Sequence, residues 1–172
     1  MTWLSKCPKA WRGHVVRFGF NLHPAYRRTG GRVEYVSPDL TTIRVRLPFN
    51  RGTRNLVGSI FGGSLFAVTD GPHPTLLLMG LGREYVVWDK AASIQYKKPG
   101  RSTLYADCIV SAEEIAEIKD ILTRQPEVDR TYRVELKDRS GVVHSVVERT
   151  VYIANKNHYK QKGNSGRTVT DS

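Results

Sequence analysis

One apolar stretch constrains this chain more than anything else in it. Ser64 to Leu81 is apolar almost all round, is introduced by Gly58, Gly62 and Gly63, and is closed by Gly80 and Gly82. A helix that is apolar on every side must be buried on every side. The rest of the chain therefore has to wrap around it. Pro72 and Pro74 must end or kink it, since proline lacks the N–H that an inner helical turn needs.

The flanks supply the wrapping. Arg32 to Ser37 reads as a strand with Val33, Tyr35 and Ser37 on one face. Pro38–Asp39 marks a hairpin, and Thr41 to Leu47 alternates Ile43, Val45 and Leu47 with Thr42, Arg44 and Arg46. Downstream, Tyr85 to Lys98 turns at Pro99–Gly100 into Thr103 to Val110. Ser111 with Glu114 forms a capping-box pattern that opens a surface helix at about 112–124, with Ile115, Ile118, Ile121 and Leu122 on one side. Thr131 to Lys137, the Asp138–Gly141 turn and Val142 to Ala154 make a last hairpin. Strands joined by short turns pair antiparallel, and a single helix covered by such a sheet is an α+β two-layer domain.

The 172 residues suffice for one domain with one core, expected over 1–155. Trp3, Leu4, Cys7, Trp11, Val15, Phe18 and Leu22 fall at helical spacing and predict an N-terminal helix over 3–22, ended by Pro24. Residues 156–172 are polar and basic and are expected to be a flexible tail. The net charge of +11 is not spread evenly. Residues 1–32 hold seven Lys/Arg and no acid, the tail adds +3, and the segment between is nearly neutral. Basic ends of this kind suit a phosphate-bearing ligand, nucleic acid or an anionic membrane face, or serve simply as solvated ends. Nucleic acid is disfavoured, because no base-stacking series of aromatics lies beside them. No stretch has the ~18 to 20 apolar residues of a membrane span. The N-terminus lacks the apolar region of a secretory signal. Two cysteines, Cys7 and Cys108, make no disulfide framework, and the expected compartment is the cytoplasm.

Asn55-Leu-Val-Gly58-Ser-Ile-Phe61-Gly62-Gly63-Ser64-Leu-Phe-Ala-Val-Thr69-Asp70 resembles the active-site segment of hotdog-fold thioesterases of the phenylacetate-pathway and 4-hydroxybenzoyl-CoA types. In that family Asn or Gln precedes His-Gly-Gly by six residues, and an apolar helix carries an Asp or Glu. Asn55 lies six before Phe61, and Asp70 eight after Gly62. Tyr96-Lys97-Lys98-Pro99-Gly100 resembles the end of the family's third strand. The Tyr85-Val-Val-Trp-Asp-Lys90 pattern is most similar to an uncharacterised, DUF4442-like branch. Phe61 stands where the family usually has His, and Pro74 where some relatives have Thr or Ser. The resemblance implies a hotdog fold, an antiparallel sheet wrapped around a central helix. It also implies acyl-CoA hydrolysis, and Gly62 meeting Asp70 across a homodimer interface, with tetramers common.

The chemistry can be reasoned from the residues as well. A helix start presents unpaired N–H groups and the positive end of its dipole. Glycines at 62 and 63 let a thioester carbonyl approach closely enough to be polarised there. Asn55 adds a donor or orients a water. Asp70, about two turns on, is a carboxylate in the most apolar part of the chain, expected to be buried. It serves as general base or nucleophile, or else as a paired structural carboxylate. Phe61, Gly63 and Ser64 would surround the substrate. Alternation in the third strand puts Lys90 on the core face with Val86, Trp88, Ile94 and Tyr96, and Asp89 on the other. Asp89 either joins a structural ion pair or lines the acyl pocket. Lys98 and Arg101 would hold coenzyme A phosphates, or merely flank a solvated turn. The five histidines have no metal-ligand spacing, and no cofactor is expected beyond coenzyme A as part of the substrate. Two functions follow: an acyl thioester hydrolase, or a non-catalytic acyl-CoA or lipid binder on the same fold.

Overall fold

The computed structural model describes residues 8–165. Helices α1 (Lys9–Leu22) and α2 (Pro24–Arg28) lead into strands β1 (Arg32–Val36) and β2 (Thr42–Leu47). Helices α3 (Gly62–Ala67) and α4 (Pro72–Leu81) follow, then β3 (Tyr85–Tyr96) and β4 (Leu104–Ile109). Helix α5 (Ala112–Arg124), β5 (Glu127–Lys137), β6 (Val143–Asn155) and α6 (Lys156–Ser165) complete the order. The strands form one antiparallel six-stranded sheet in the order β1-β2-β4-β5-β6-β3. Its inner face packs on α3 and α4 through Ile43, Val45, Leu47, Leu104, Val134, Leu136, Val147 and Ile153, all within one core with Leu65, Leu76 and Leu77. This α+β architecture, a sheet wrapped around a central helical segment, is the one expected.

Local chemistry accounts for the elements. Ser111 caps α5 by accepting a hydrogen bond from the Glu114 N–H at 3.1 Å, and Ile118 and Leu122 are the residues that α5 buries. The β5–β6 hairpin turns on Asp138, whose carboxylate accepts from the N–H groups of Ser140 and Val142, with Gly141 at φ 85°. At the N-terminus, α1 spans the described part of the predicted 3–22 helix; residues 3–7 lie outside the described residues.

Four expectations require correction. The central segment is two helices rather than one. Gly71 adopts φ 95°, and Pro72 opens α4 at its first position, where a missing N–H costs nothing. The prolines therefore start a helix instead of distorting the end of one. In β1, a bulge between Val33 and Tyr35 turns Tyr35 outward and buries Val36. In β3, a bulge between Asp89 and Ala91 reverses the assignment of faces. Asp89 points inward and Lys90 outward, where its ammonium meets Asp129 at 2.6 Å. Finally, Lys156–Ser165 of the expected flexible tail is helical; residues 166–172 lie outside the described residues.

Candidate active site

The loop before α3 is built from its own side chains. The Asn55 N–H donates to the Ser59 carbonyl at 2.8 Å, and the Ser59 N–H donates back to Asn55 Oδ1 at 3.0 Å. Asn55 Nδ2 donates to Ser59 Oγ at 3.0 Å. Asn55 is thus the clasp of a tight loop, with its carboxamide oxygen committed to that loop. Two further bonds dock the loop, from the Phe61 N–H to the Thr53 carbonyl (2.7 Å) and from the Ile60 N–H to the Gly100 carbonyl (2.8 Å). The second bond brings together the two motifs that carry the family resemblance.

Helix α3 starts directly after this loop. The first N–H to find a helical acceptor is that of Ser64, on the Phe61 carbonyl at 3.0 Å; the N–H groups of Gly62 and Gly63 precede it. Both glycines are closely approached by exposed aromatic side chains. A Cβ on Gly62 would stand 2.8 Å from Tyr96 Oη, and one on Gly63 2.4 Å from the Phe61 ring. Asn55, Ser59, Gly62, Tyr96 and Lys98 line one cleft of about 430 Å³. Ser64 is buried and Phe61 is exposed. Arg101 is exposed and lies outside the residues lining this cleft.

Asp70 occupies a different place. It sits in the turn between α3 and α4, its N–H bonded to the Ala67 carbonyl at 3.1 Å, and its side chain is 67 % exposed in the single chain. The buried carboxylate expected at this position is corrected, because the helix breaks before reaching it. Asp70 lines a second cavity of about 430 Å³ with Phe20, His23, Tyr26, Thr29 and Ala67. Within one chain, Asn55, Gly62 and Lys98 are therefore brought together, and Asp70 is not among them.

Behind Asp70 lies a group that sequence reading missed. Arg149 on β6 is 3 % exposed. Its Nε donates to Thr69 Oγ1 at 3.0 Å, its Nη2 to the Phe66 carbonyl at 2.9 Å, and its Nη1 to Asp89 Oδ2 at 3.1 Å. The same Nη1 lies 4.0 Å from Asp70 Oδ1, and the guanidinium carbon sits 4.9 Å from the centre of the Phe66 ring. The cation caps the carbonyl end of α3, where the helix dipole favours positive charge. One of its nitrogens holds Asp89 of β3 and lies near the exposed Asp70 of the α3–α4 turn. Burial pushes the Asp89 carboxyl up to about 6; Arg149 opposes that shift, and the neighbouring Asp70 adds to it. Asp89 Oδ1 is buried without a hydrogen-bond partner. The signal for Arg149 was available, since it shares strand parity with Val147, Val151 and Ile153, all buried.

Two other buried groups are inert. His73 stacks on Tyr132 with ring centres 4.2 Å apart, and burial lowers its imidazole to about 4, so it is neutral near pH 7. Burial pushes the Cys108 thiol up to about 12, which rules out a ready thiolate nucleophile.

A central helical segment gripped by an antiparallel sheet, with a glycine-flanked helix start beside the third strand, defines a hotdog fold. Residues 14–153 match the family described as Domain of unknown function (DUF4442), and the chain belongs to it. Among solved structures, it is similar to a Pseudomonas aeruginosa protein of unknown function described as a probable thioesterase. The TM-score is 0.72 at 18 % identity, over 83 % of this chain and 95 % of that one. A Chlorobaculum tepidum protein of unknown function gives 0.67 at 15 % identity, over 83 % and 94 %. A Haemophilus influenzae thioesterase gives 0.60 at 13 % identity, over 80 % and 87 %. No curated protein matches. Among the described residues, no helix is long and apolar enough to cross a membrane.

Proposed function

We propose that the protein hydrolyses acyl thioesters of coenzyme A or of an acyl carrier. The observation that carries this reading is the cleft of Asn55, Gly62, Tyr96 and Lys98 at the start of α3. The substrate carbonyl would sit at the Gly62 and Gly63 N–H groups, whose alignment suits a developing oxyanion. The Asn55 amide, held by Ser59, supports the loop that shapes this cleft. Lys98 in the cleft, and Arg101 three residues on in the chain, would meet coenzyme A phosphates.

Asp70 is the proposed base or nucleophile, and it requires a second chain. As a base, it takes a proton from water as the water oxygen bonds the acyl carbon. The C–S bond then breaks, and Asp70 returns the proton to the departing sulfur, which leaves as the thiol. β3 supports the dimer, because it ends the sheet and leaves Ala91, Ala92 and Ser93 exposed along a free margin. Pairing of two such margins would bring Asp70 of one protomer toward Gly62 of its partner. No resident cofactor is needed, and the cytoplasm is the proposed compartment.

The test is a panel of acyl-CoAs incubated with purified protein. Asp70→Ala should lower kcat by a hundredfold or more, on the order expected for removing a base or nucleophile. Full activity in Asp70→Ala would overturn the mechanism. A specific observation favours a second reading, non-catalytic acyl-CoA binding: Phe61 presents an exposed apolar ring where a polar group would serve catalysis. Tight binding without turnover would select it.

A further inference from the structure

Helix α1 has two apolar faces, and among the described residues only one is covered by the fold. On the inner face, a Cβ on Gly13 would stand 2.4 Å from the Val36 carbonyl oxygen, Val16 is buried, and Asn21 exchanges two 2.9 Å hydrogen bonds with the Val33 backbone. On the opposite face, Trp11, Phe18 and Leu22 are 65 %, 66 % and 54 % exposed. At 3.6 residues per turn these three, with half-buried Val15, fall within an arc of about 60°. Isolated exposed apolar residues are ordinary, whereas a continuous stripe of three large ones on a single helix marks a contact surface.

Charge identifies the occupant. Arg12 and Arg17 lie to either side of the stripe on α1, with Arg17 also donating to the Glu34 carbonyl at 3.3 Å; α2 adds Arg27 and Arg28, and no acid occurs before Glu34. The neighbouring loop repeats the combination, with Leu56 and Val57 fully or largely exposed beside Arg51 and Arg54. That loop abuts the end of α2, where a Cβ on Gly30 would meet Thr53 Cγ2 at 2.4 Å. Nucleic acid would use the cations and leave the apolar stripe in water. A bilayer surface uses both: Trp, Phe and Leu enter the headgroup–acyl boundary while Lys and Arg meet anionic phosphates.

We propose that α1 is an interfacial docking helix for an anionic lipid bilayer, with Trp11, Phe18 and Leu22 as its inserting residues. The same helical pair walls the Asp70 cavity through Phe20, His23 and Tyr26. If the thioesterase reading holds, on which this extension alone rests, the substrates are long-chain acyl thioesters met at the membrane surface.

Vesicle co-sedimentation of the full chain tests the docking without substrate. Vesicles of phosphatidylcholine with added phosphatidylglycerol should bind it at least about tenfold more tightly than phosphatidylcholine alone, and high salt should weaken that binding. The double variant Trp11→Ser/Phe18→Ser changes only outward side chains, so it should keep the wild-type circular dichroism and melting temperature while losing vesicle binding. Absence of binding to the anionic vesicles overturns the proposal, as does wild-type binding by the double variant. Conversion of an oligomer to monomer by that variant would assign the stripe to a second copy of the chain and overturn it equally. Hydrolysis of a short-chain, water-soluble acyl-CoA should be unchanged in the double variant. A chain that binds vesicles but hydrolyses nothing would refute the enzyme reading and leave the docking intact.

Discussion

At the scale of single residues, Arg149 holds the most interactions that cannot be replaced. Arg149→Met would leave Asp89 as a half-buried, unpaired carboxylate and remove donors from Thr69 and the Phe66 carbonyl. A loss of about 3–5 kcal/mol in chemical denaturation is expected. Asp89 and His73 give stability opposite slopes with pH. Asp89 is raised from 3.8 to about 6, so over that interval the folded chain holds a proton the unfolded chain has released. Its contribution is fully present below the unfolded value and is lost as pH rises through about 6. His73 is lowered from 6.5 to about 4, so its contribution is present above 6.5 and is lost as pH falls toward 4. Asp89→Asn should flatten the loss on raising pH, and His73→Phe, which keeps a ring on Tyr132, should flatten the loss on lowering it. Melting temperatures measured across this range would separate the two; unchanged slopes in both variants would refute the assignments. Strand parity made the burial of Arg149 legible in advance, but not its partners, since which charge a buried Arg meets depends on strands and turns far apart in sequence.

Among the elements, hairpins and caps were the most readable, because their signals are local. Pro38–Asp39, Ser111 with Glu114 and the Asp138–Gly141 turn all fall where the chain turns or starts a helix. The bulges in β1 and β3 were not readable, since one inserted residue reverses every face assignment beyond it and leaves no mark on alternation. The break at Gly71–Pro72 was half readable: the prolines announced an interruption, but not that Asp70 would be lifted out of the core. The mounting of α1 can be tested at one glycine. Gly13→Ala would drive a methyl group into the Val36 carbonyl, which belongs to the backbone and cannot swing aside. A destabilisation on the order of 1–3 kcal/mol is expected, as for other overpacked contacts. Gly19→Ala on the same helix, with nothing within 4 Å, should instead be neutral or stabilising.

For the whole molecule, the candidate site is divided. The Asn55–Gly62 cleft and the Asp70 cavity have no lining residue in common, so the proposed chemistry is expected to draw on two chains. Light scattering should give at least twice the chain mass. Ala92→Pro, which removes a margin N–H from β3 and stiffens the strand, should shift the population toward monomer and lower any thioesterase activity with it. A variant that is monomeric and fully active would show that one chain suffices.

The position of β3 also bears on how the molecule is made. Its partner is β6, and even the nearest paired residues, Tyr96 and Ser145, lie far apart in sequence. β5 and β6 pair through a short turn and can form as soon as both exist. During synthesis, β3 must wait for the whole of β4, α5, β5 and β6 to emerge. At about 5–20 residues per second, that is an interval of several seconds. Throughout it, Tyr85-Val-Val-Trp88 is a β-prone segment with neither edge occupied. Nascent chains on one messenger are thus most prone to cross-pair before residue 155 is made, and slower translation would lengthen that exposure.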